Sequence, residues 1–350
     1  MCVNSGMLQI EHIYRFLAKN LFEDFCFAYL PNGTPTIKES LTIKDLYILN
    51  EETWRIHGML FYDQEPVTVG ITDQYLKLFT DPDTSMILVT SERSKISQTL
   101  AKYHLYYFFH GFAALDWFRG FYVLNYTKNS VRHYRYDYQS FNRIITGDRE
   151  YRKTFVDQLR KNNLLEHGSV SYGVTEDPIS EERLIIDHEQ VSASASADIP
   201  DVDAFWHVVT ETVFYYDKLH LTEKIFKPIV SKQPFMLLAA PGNLEYLRSY
   251  GFKTFAGIID ESYDTIKDND ARIEAVVAQL KWYCSLTVSE KTEIQKQCEP
   301  IVEHNFYHFY GKFKEIITDE LLDNSKKMFL EVGHDDSDVD YATVRKLLIS

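Results

Sequence analysis

Two carboxylates, a threonine and a lysine fall together in one short segment, a combination that can hold a phosphate beside a sugar. The segment is Phe205 to Phe255, FWHVVTETVFYYDKLHLTEKIFKPIVSKQPFMLLAAPGNLEYLRSYGFKTF. Glu211 closes the apolar run VVTET, and Thr222, Glu223 and Lys224 open the next amphipathic run. With Thr222 as N-cap, Glu223 complements the positive end of the helix dipole and Lys224 opposes it. The lysine is locally unfavourable there, and it becomes sensible when free backbone N–H groups and an ammonium share a diphosphate. An isolated Thr-Glu-Lys is a common helix start with a solvated lysine. The glutamate ending the preceding strand turns this one towards function.

The elements that must position these groups follow from periodicity. VVTET reads as a short buried strand, Thr222 to Lys232 as a helix, QPFMLLAA as the next strand and Gly242 to Tyr250 as another helix. Such alternation predicts a parallel α/β sheet, whose ligands collect beyond the carboxyl ends of the strands. Upstream, Tyr136 to Ile145 and Gly168 to Gly173 read as strands, separated by GDREYRKTFVDQLRKNN with Gly147 and Asp148 before its helix. The first half offers strands at Phe25 to Leu30, Met59 to Tyr62, Met86 to Thr90 and His104 to Phe109, with helices at Ile10 to Phe22 and Asp73 to Phe79. After Ala271 the pattern is helical to Leu322, an acidic run EVGHDDSDVDY interrupts it, and ATVRKLLIS makes a last short helix.

The 350 residues suffice for two domains, each with its own core. The polar, turn-prone YTKNS places a break near residue 130. The expected organisation is an N-terminal acceptor-side domain at 1–130, a donor domain at 131–309, and terminal helices with an acidic tail at 310–350. A net charge of -14 argues against general nucleic-acid binding. The four cysteines, Cys2, Cys26, Cys284 and Cys298, show no metal-ligand spacing and read as free thiols in a reducing compartment. Met1 to Asn20 lacks the unbroken apolar core of a signal peptide, and no run is long enough for a membrane span, so the expectation is a cytoplasmic protein. The aromatic cluster HLYYFFHGFAALDWFRGFYVLNY reads first as core. Two α/β domains followed by helices outline a two-Rossmann enzyme, and without a G-x-G-x-x-G loop the nicotinamide version has little support.

Between Phe141 and Phe255, about a third of the chain, the sequence resembles the fucosyltransferase-like glycosyltransferases of the GT-B fold related to glycosyltransferase family 10. In that family a strand ending in Phe-Glu-Asn precedes a Thr-Glu-Lys helix start. Here VTET with Glu211 precedes LTEK with Glu223 and Lys224. The family's upstream block, an Asn near a strand end, an Arg on the next helix and a Tyr-Gly turn, is matched by FNRIITGDREYRKTFVDQLRK and SVSYG, which supply Asn142, Arg143, Arg152 and Tyr172. Thr212 stands where the family has Asn, the gap between the acids is slightly longer, and Pro228 falls inside the helix. The resemblance implies a nucleotide diphosphate sugar held by the second of two Rossmann-like domains facing a cleft. Glu223 would meet the ribose hydroxyls, while Lys224 and one or more of Arg143, Arg149 and Arg152 would neutralise the diphosphate as it departs. It implies no metal and no further cofactor, and the D-x-D at Asp81-Pro82-Asp83 reads as a turn.

An inverting transfer needs a base from the first domain. MLFYDQEPV runs an apolar strand into Asp63 and Glu65, which share a parity along an extended chain. A turn closed by an Asp side chain before Pro66 explains the same residues equally well. His110 and Asp116 are weaker candidates. From Glu211 and Glu223 the E-x7-E pattern of a large retaining family does not run, because Leu219 and Ser231 stand where its second acids would be, and inversion is favoured. A non-catalytic nucleotide-sugar or glycan-binding module of the same fold is the main alternative. A phosphoribosyl or nucleotide-processing α/β enzyme would also use Lys224 and the arginines.

Overall fold

The computed structural model describes residues 26–29, 45–48, 87–90, 93, 103–106, 108–122, 134–142, 144–172, 204–215, 218–332, 336–337 and 339–349. The chain divides into two compact units, 1–116 with 314–350, and 117–313. The expected break near residue 130 thus falls inside the second unit, and the terminal helices group with the first.

In the first unit β1 (Cys26–Tyr29), β2 (Asp45–Ile48), β3 (Ile87–Thr90) and β4 (Tyr103–Tyr106) form a parallel sheet in sequential order. Strand β2 is absent from the sequence-based expectation, and helix α1 (Phe109–Trp117) begins where the sequence suggests that β4 continues. Short apolar runs fit strand and buried helix alike, so periodicity does not place that boundary. The expected strand at Met59 to Tyr62 and the helices at Ile10 to Phe22 and Asp73 to Phe79 lie outside the described residues. So do Asp63, Glu65 and the D-x-D at Asp81.

The second unit is built on β5 (Tyr136–Asn142), β6 (Gly168–Tyr172), β7 (Ala204–Thr210) and β8 (Phe235–Leu238), all parallel, in the order β6-β5-β7-β8. Helices α2 (Tyr151–Lys161), α3 (Glu223–Val230), α4 (Asn243–Ser249), α5 (Asn269–Ser285) and α6 (Val288–His308) complete it, and a π-helical turn, Phe309–Phe313, leads to α7 (Lys314–Val332) and α8 (Tyr341–Ile349) of the first unit. Each residue of β7 is buried, as a strand covered on both faces of a parallel sheet requires. Trp206 on β7 meets the rings of Phe255 and Tyr283, and Phe226 of α3 packs on Phe252, Phe309 and Phe313. Full burial of one such ring contributes about 1.5–3 kcal/mol. Much of the aromatic excess is therefore core.

Local chemistry sets the element ends. Helix α3 stops in a Schellman arrangement: Gln233 N donates to the Pro228 carbonyl and Lys232 N to the Ile229 carbonyl, with Lys232 at a left-handed φ of 49°. The side chain of Lys232 is then drawn inward to Glu303 at 2.9 Å, over the ring of Phe306. Helix α4 starts at Gly242, φ 85°, and Asp264 supplies the cap from another segment, accepting from Leu244 N at 3.0 Å and Glu245 N at 3.3 Å. Gly168, the first residue of β6, lies so close to Tyr138 that a Cβ would meet its ring at 2.4 Å. No helix among the described residues is long and apolar enough to cross a membrane.

Candidate functional site

The chain runs from β5 through α2 to β6 on one side, then returns past β5 to place β7 and β8 on the other. The order therefore reverses between β5 and β7. In an open parallel sheet, loops leaving the carboxyl ends of two such strands diverge and leave a crevice where ligands bind. The segments bordering it here follow Asn142 and Thr210. Glu211 directly follows β7, and the short 3₁₀ turn Gly147–Arg149 leads into α2. The sequence-based reading places its acids and cations at this same edge.

Glu211 organises the crevice. It is fully buried, and its carboxylate accepts from Thr222 N at 3.1 Å, Thr222 Oγ1 at 2.6 Å and Thr212 N at 3.1 Å. Thr222 has the extended backbone of an N-cap, and its side chain also accepts from Lys224 N. One hydroxyl thereby links strand end to helix start. Burial pushes the Glu211 carboxyl up from its ordinary value, while Lys224 and the Thr222 hydrogen bonds pull the other way.

The Lys224 ammonium donates to Thr212 Oγ1 at 2.9 Å, Thr222 Oγ1 at 3.2 Å and Glu223 Oε1 at 2.9 Å. Three partners match the three N–H bonds of an ammonium. The lysine does not extend into bulk water, since its side chain is 18% exposed and that of Glu223 4%. An anion could reach this ammonium from its open side only by replacing one of the present acceptors. Thr212, where the family has Asn, is thus part of the cluster.

Lys227, one turn further along α3, is buried, and burial lowers its amine to about 8, with Lys224 adding to the shift and Glu223 opposing it. His207 of β7 is buried as well and is pushed down to about 3 by burial and then by Lys227. Its Nδ1 lies 3.3 Å from Gln139 Nε2, which donates to Gln233 Oε1 at 3.0 Å. Beneath the crevice the unit therefore holds a neutral imidazole beside a lysine of depressed basicity. The helical spacing of Lys224 and Lys227 is visible in the sequence, but the burial of Lys227 is not.

Asn142 and Arg152 are brought to the crevice, but each is engaged by the scaffold. Asn142 is buried, donates to the Ser171 carbonyl at 3.2 Å and accepts from Thr210 Oγ1 at 3.0 Å, which ties β6, β5 and β7 together. The Arg152 guanidinium, expected on a diphosphate, donates to the carbonyls of Ile144 at 2.8 Å, Thr210 at 2.7 Å and Glu211 at 3.2 Å, and it is 3% exposed. It satisfies the last carbonyl of β7 and the one that follows it. Tyr172 pairs with Asn142 at the end of β6 and is half-buried; burial raises its phenol. Arg143 lies outside the described residues. His110 is buried in α1 of the first unit.

Residues that sequence reasoning passes over fix the loop after β7. Tyr151 donates its hydroxyl to the Glu211 carbonyl and stacks on Phe214, ring centroids 4.0 Å apart. Arg272 covers the same ring at 4.1 Å and donates to the Phe214 carbonyl at 2.8 Å. Asn243 holds the other end, accepting from His220 N at 2.9 Å and donating to the Lys218 carbonyl at 2.8 Å. No family model matches the chain, and neither a curated protein nor a solved structure matches it.

Proposed function

We propose that the chain is a glycosyltransferase that moves a sugar from a nucleotide diphosphate sugar to a hydroxyl acceptor, by inversion and without a metal, on a GT-B-like fold. The observation that carries this reading is the placement of Lys224, Glu223, Thr222 and Glu211 in one hydrogen-bonded cluster at the strand-order reversal. A departing diphosphate gains negative charge as the glycosidic bond breaks, and a positioned cation stabilises that state more than the ground state. On binding, the diphosphate takes the place of Glu223 on the Lys224 ammonium, and the freed carboxylate accepts the ribose hydroxyls. Glu211 holds Thr222 and Thr212, and through them Lys224, in position. The base that takes the acceptor proton comes from the first half, Asp63 or Glu65.

The second reading, a non-catalytic nucleotide-sugar or glycan-binding module, draws on the Arg152 guanidinium: bonded to three carbonyls, it leaves one cation fewer for a leaving group. Both readings predict donor binding, and turnover separates them. A thermal-shift panel of nucleotide sugars identifies the donor, because a ligand that binds the folded state raises its apparent stability. Calorimetry on Lys224→Ala and Glu223→Ala should then give weakened nucleotide diphosphate binding in chains that remain folded. Unchanged affinity in both variants removes the site. Release of nucleoside diphosphate by the wild type, slowed in Asp63→Asn or Glu65→Gln with donor affinity intact, assigns the base; a chain that binds donor and never turns it over is the binding module.

A further inference from the structure

At the opposite, amino-terminal edge of the same sheet, three side chains of different chemistry converge: Asp137 on β5, His167 in the turn entering β6, and Cys284 near the end of α5. One ligand atom from each lies within 4.8 Å of the other two. The His167 Nδ1 is 3.1 Å from Asp137 Oδ2. A tetrahedral zinc ion with bonds of about 2.0–2.3 Å holds its ligand atoms roughly 3.3–3.7 Å apart, so closure needs a shift of about 1 Å. The second oxygen of Asp137 accepts from Lys291 Nζ at 2.7 Å, which fixes the carboxylate plane and leaves Oδ2 turned to the histidine.

The backbone holds the constellation. Tyr138 donates to the Leu164 carbonyl at 3.0 Å, and Gly168, next to His167, admits the Tyr138 ring where any side chain would collide. The imidazole is therefore brought down beside the residue preceding Tyr138. Asp137 is 16% exposed and His167 38%, so a cation can enter from solvent on the histidine side and keep a water there. Thiolate, imidazole and carboxylate together form the borderline-soft donor set that zinc selects over magnesium or calcium.

We propose that Asp137, His167 and Cys284 form a binding site for a zinc-class divalent cation, with water in the fourth position, that fastens the end of α5 to the starts of β5 and β6. The thiol releases its proton to solvent as the sulfur–metal bond forms. The site is separate from the Glu211 crevice and stands whether or not the chain transfers sugars.

The test uses the full chain with zinc and cobalt ions as probes. Cobalt should give a near-ultraviolet thiolate charge-transfer band that saturates at one equivalent, and zinc should abolish it by competition. Cys284→Ser should remove the band while Cys298→Ser retains it. His167→Gln and Asp137→Asn should each lower zinc affinity at least about tenfold, with circular dichroism unchanged. Zinc should raise the melting temperature of the wild type and leave that of Cys284→Ser in place. No cobalt band in the wild type, a band that survives Cys284→Ser, or equal zinc affinity in the His167 and Asp137 variants overturns the proposal.

Discussion

Lys227→Met provides the sharpest check on the electrostatics beneath the crevice. The lysine is buried, and its amine falls from 10.5 to about 8, chiefly by burial, with Glu223 opposing and Lys224 adding. A depressed base binds fewer protons folded than unfolded between those two values. Stability therefore rises with pH through that window, is fully present above the unfolded value, and is lost as pH falls through the folded one. A tenfold change in proton affinity is worth about 1.4 kcal/mol, so the charged lysine costs the fold about 3 kcal/mol near neutrality, of which about 2 kcal/mol is recovered by about pH 9.5. Methionine removes the titrating group and keeps most of the apolar stem. Urea denaturation followed by circular dichroism, at about pH 7 and about pH 9.5, should show the wild type gaining about 2 kcal/mol relative to the variant. Subtracting the variant cancels the groups that titrate in this range without interacting with Lys227. A wild-type-to-variant difference that stays constant within about 0.5 kcal/mol across the two conditions refutes the assignment.

His207 gives the acid counterpart. With its imidazole pushed to about 3 from 6.5 by burial and then by Lys227, its contribution is complete above the unfolded value and falls away as pH drops through the folded one. His207→Gln should spare the fold about 2 kcal/mol of the loss expected between about pH 7 and about pH 5, read from urea midpoints. Gly168→Ala forces a methyl into the Tyr138 ring and should cost about 1–3 kcal/mol; thermal unfolding at the wild-type temperature would contradict the close approach. Thr222→Val removes the donor to a buried carboxylate and the cap of α3 together, and should cost about 2 kcal/mol. Thr222→Ser, which keeps the hydroxyl, should melt near the wild type, and equal losses in both variants would exclude the hydroxyl as the cause.

What the sequence shows of this site depends on how far apart the cooperating residues are. The N-cap at Thr222 and the parallel alternation are signals carried within a few neighbours and appear where expected, whereas the strand read as VVTET begins earlier, at Ala204, and stops at Thr210, one residue short of Glu211. Arg152 is different. An arginine on a solvated-looking helix face is indistinguishable in sequence from one that reaches carbonyls 58 and 59 residues away. The same holds for Asp137, His167 and Cys284: no local spacing rule links residues on a strand, a turn and a distant helix. Lys227 occupies a polar position of an amphipathic run, and only the packing of α3 shows that its amine is enclosed. Strand β2 escapes detection because DLYI is short and opens with an acid, which leaves almost no alternation to read.

The guanidinium that closes off the last carbonyl of β7 also bears on how mutants of this protein are interpreted. Replacing Arg152 would take its donor from the buried Thr210 carbonyl and remove contacts to those of Ile144 and Glu211, the latter still held by the Tyr151 hydroxyl, and the floor of the crevice would shift before any chemistry was measured. A screen scored only on product formation would rank that position beside Lys224 and credit it with a role in the reaction. Yield of soluble protein and melting temperature, recorded for every variant, would separate the beam from the tool it supports.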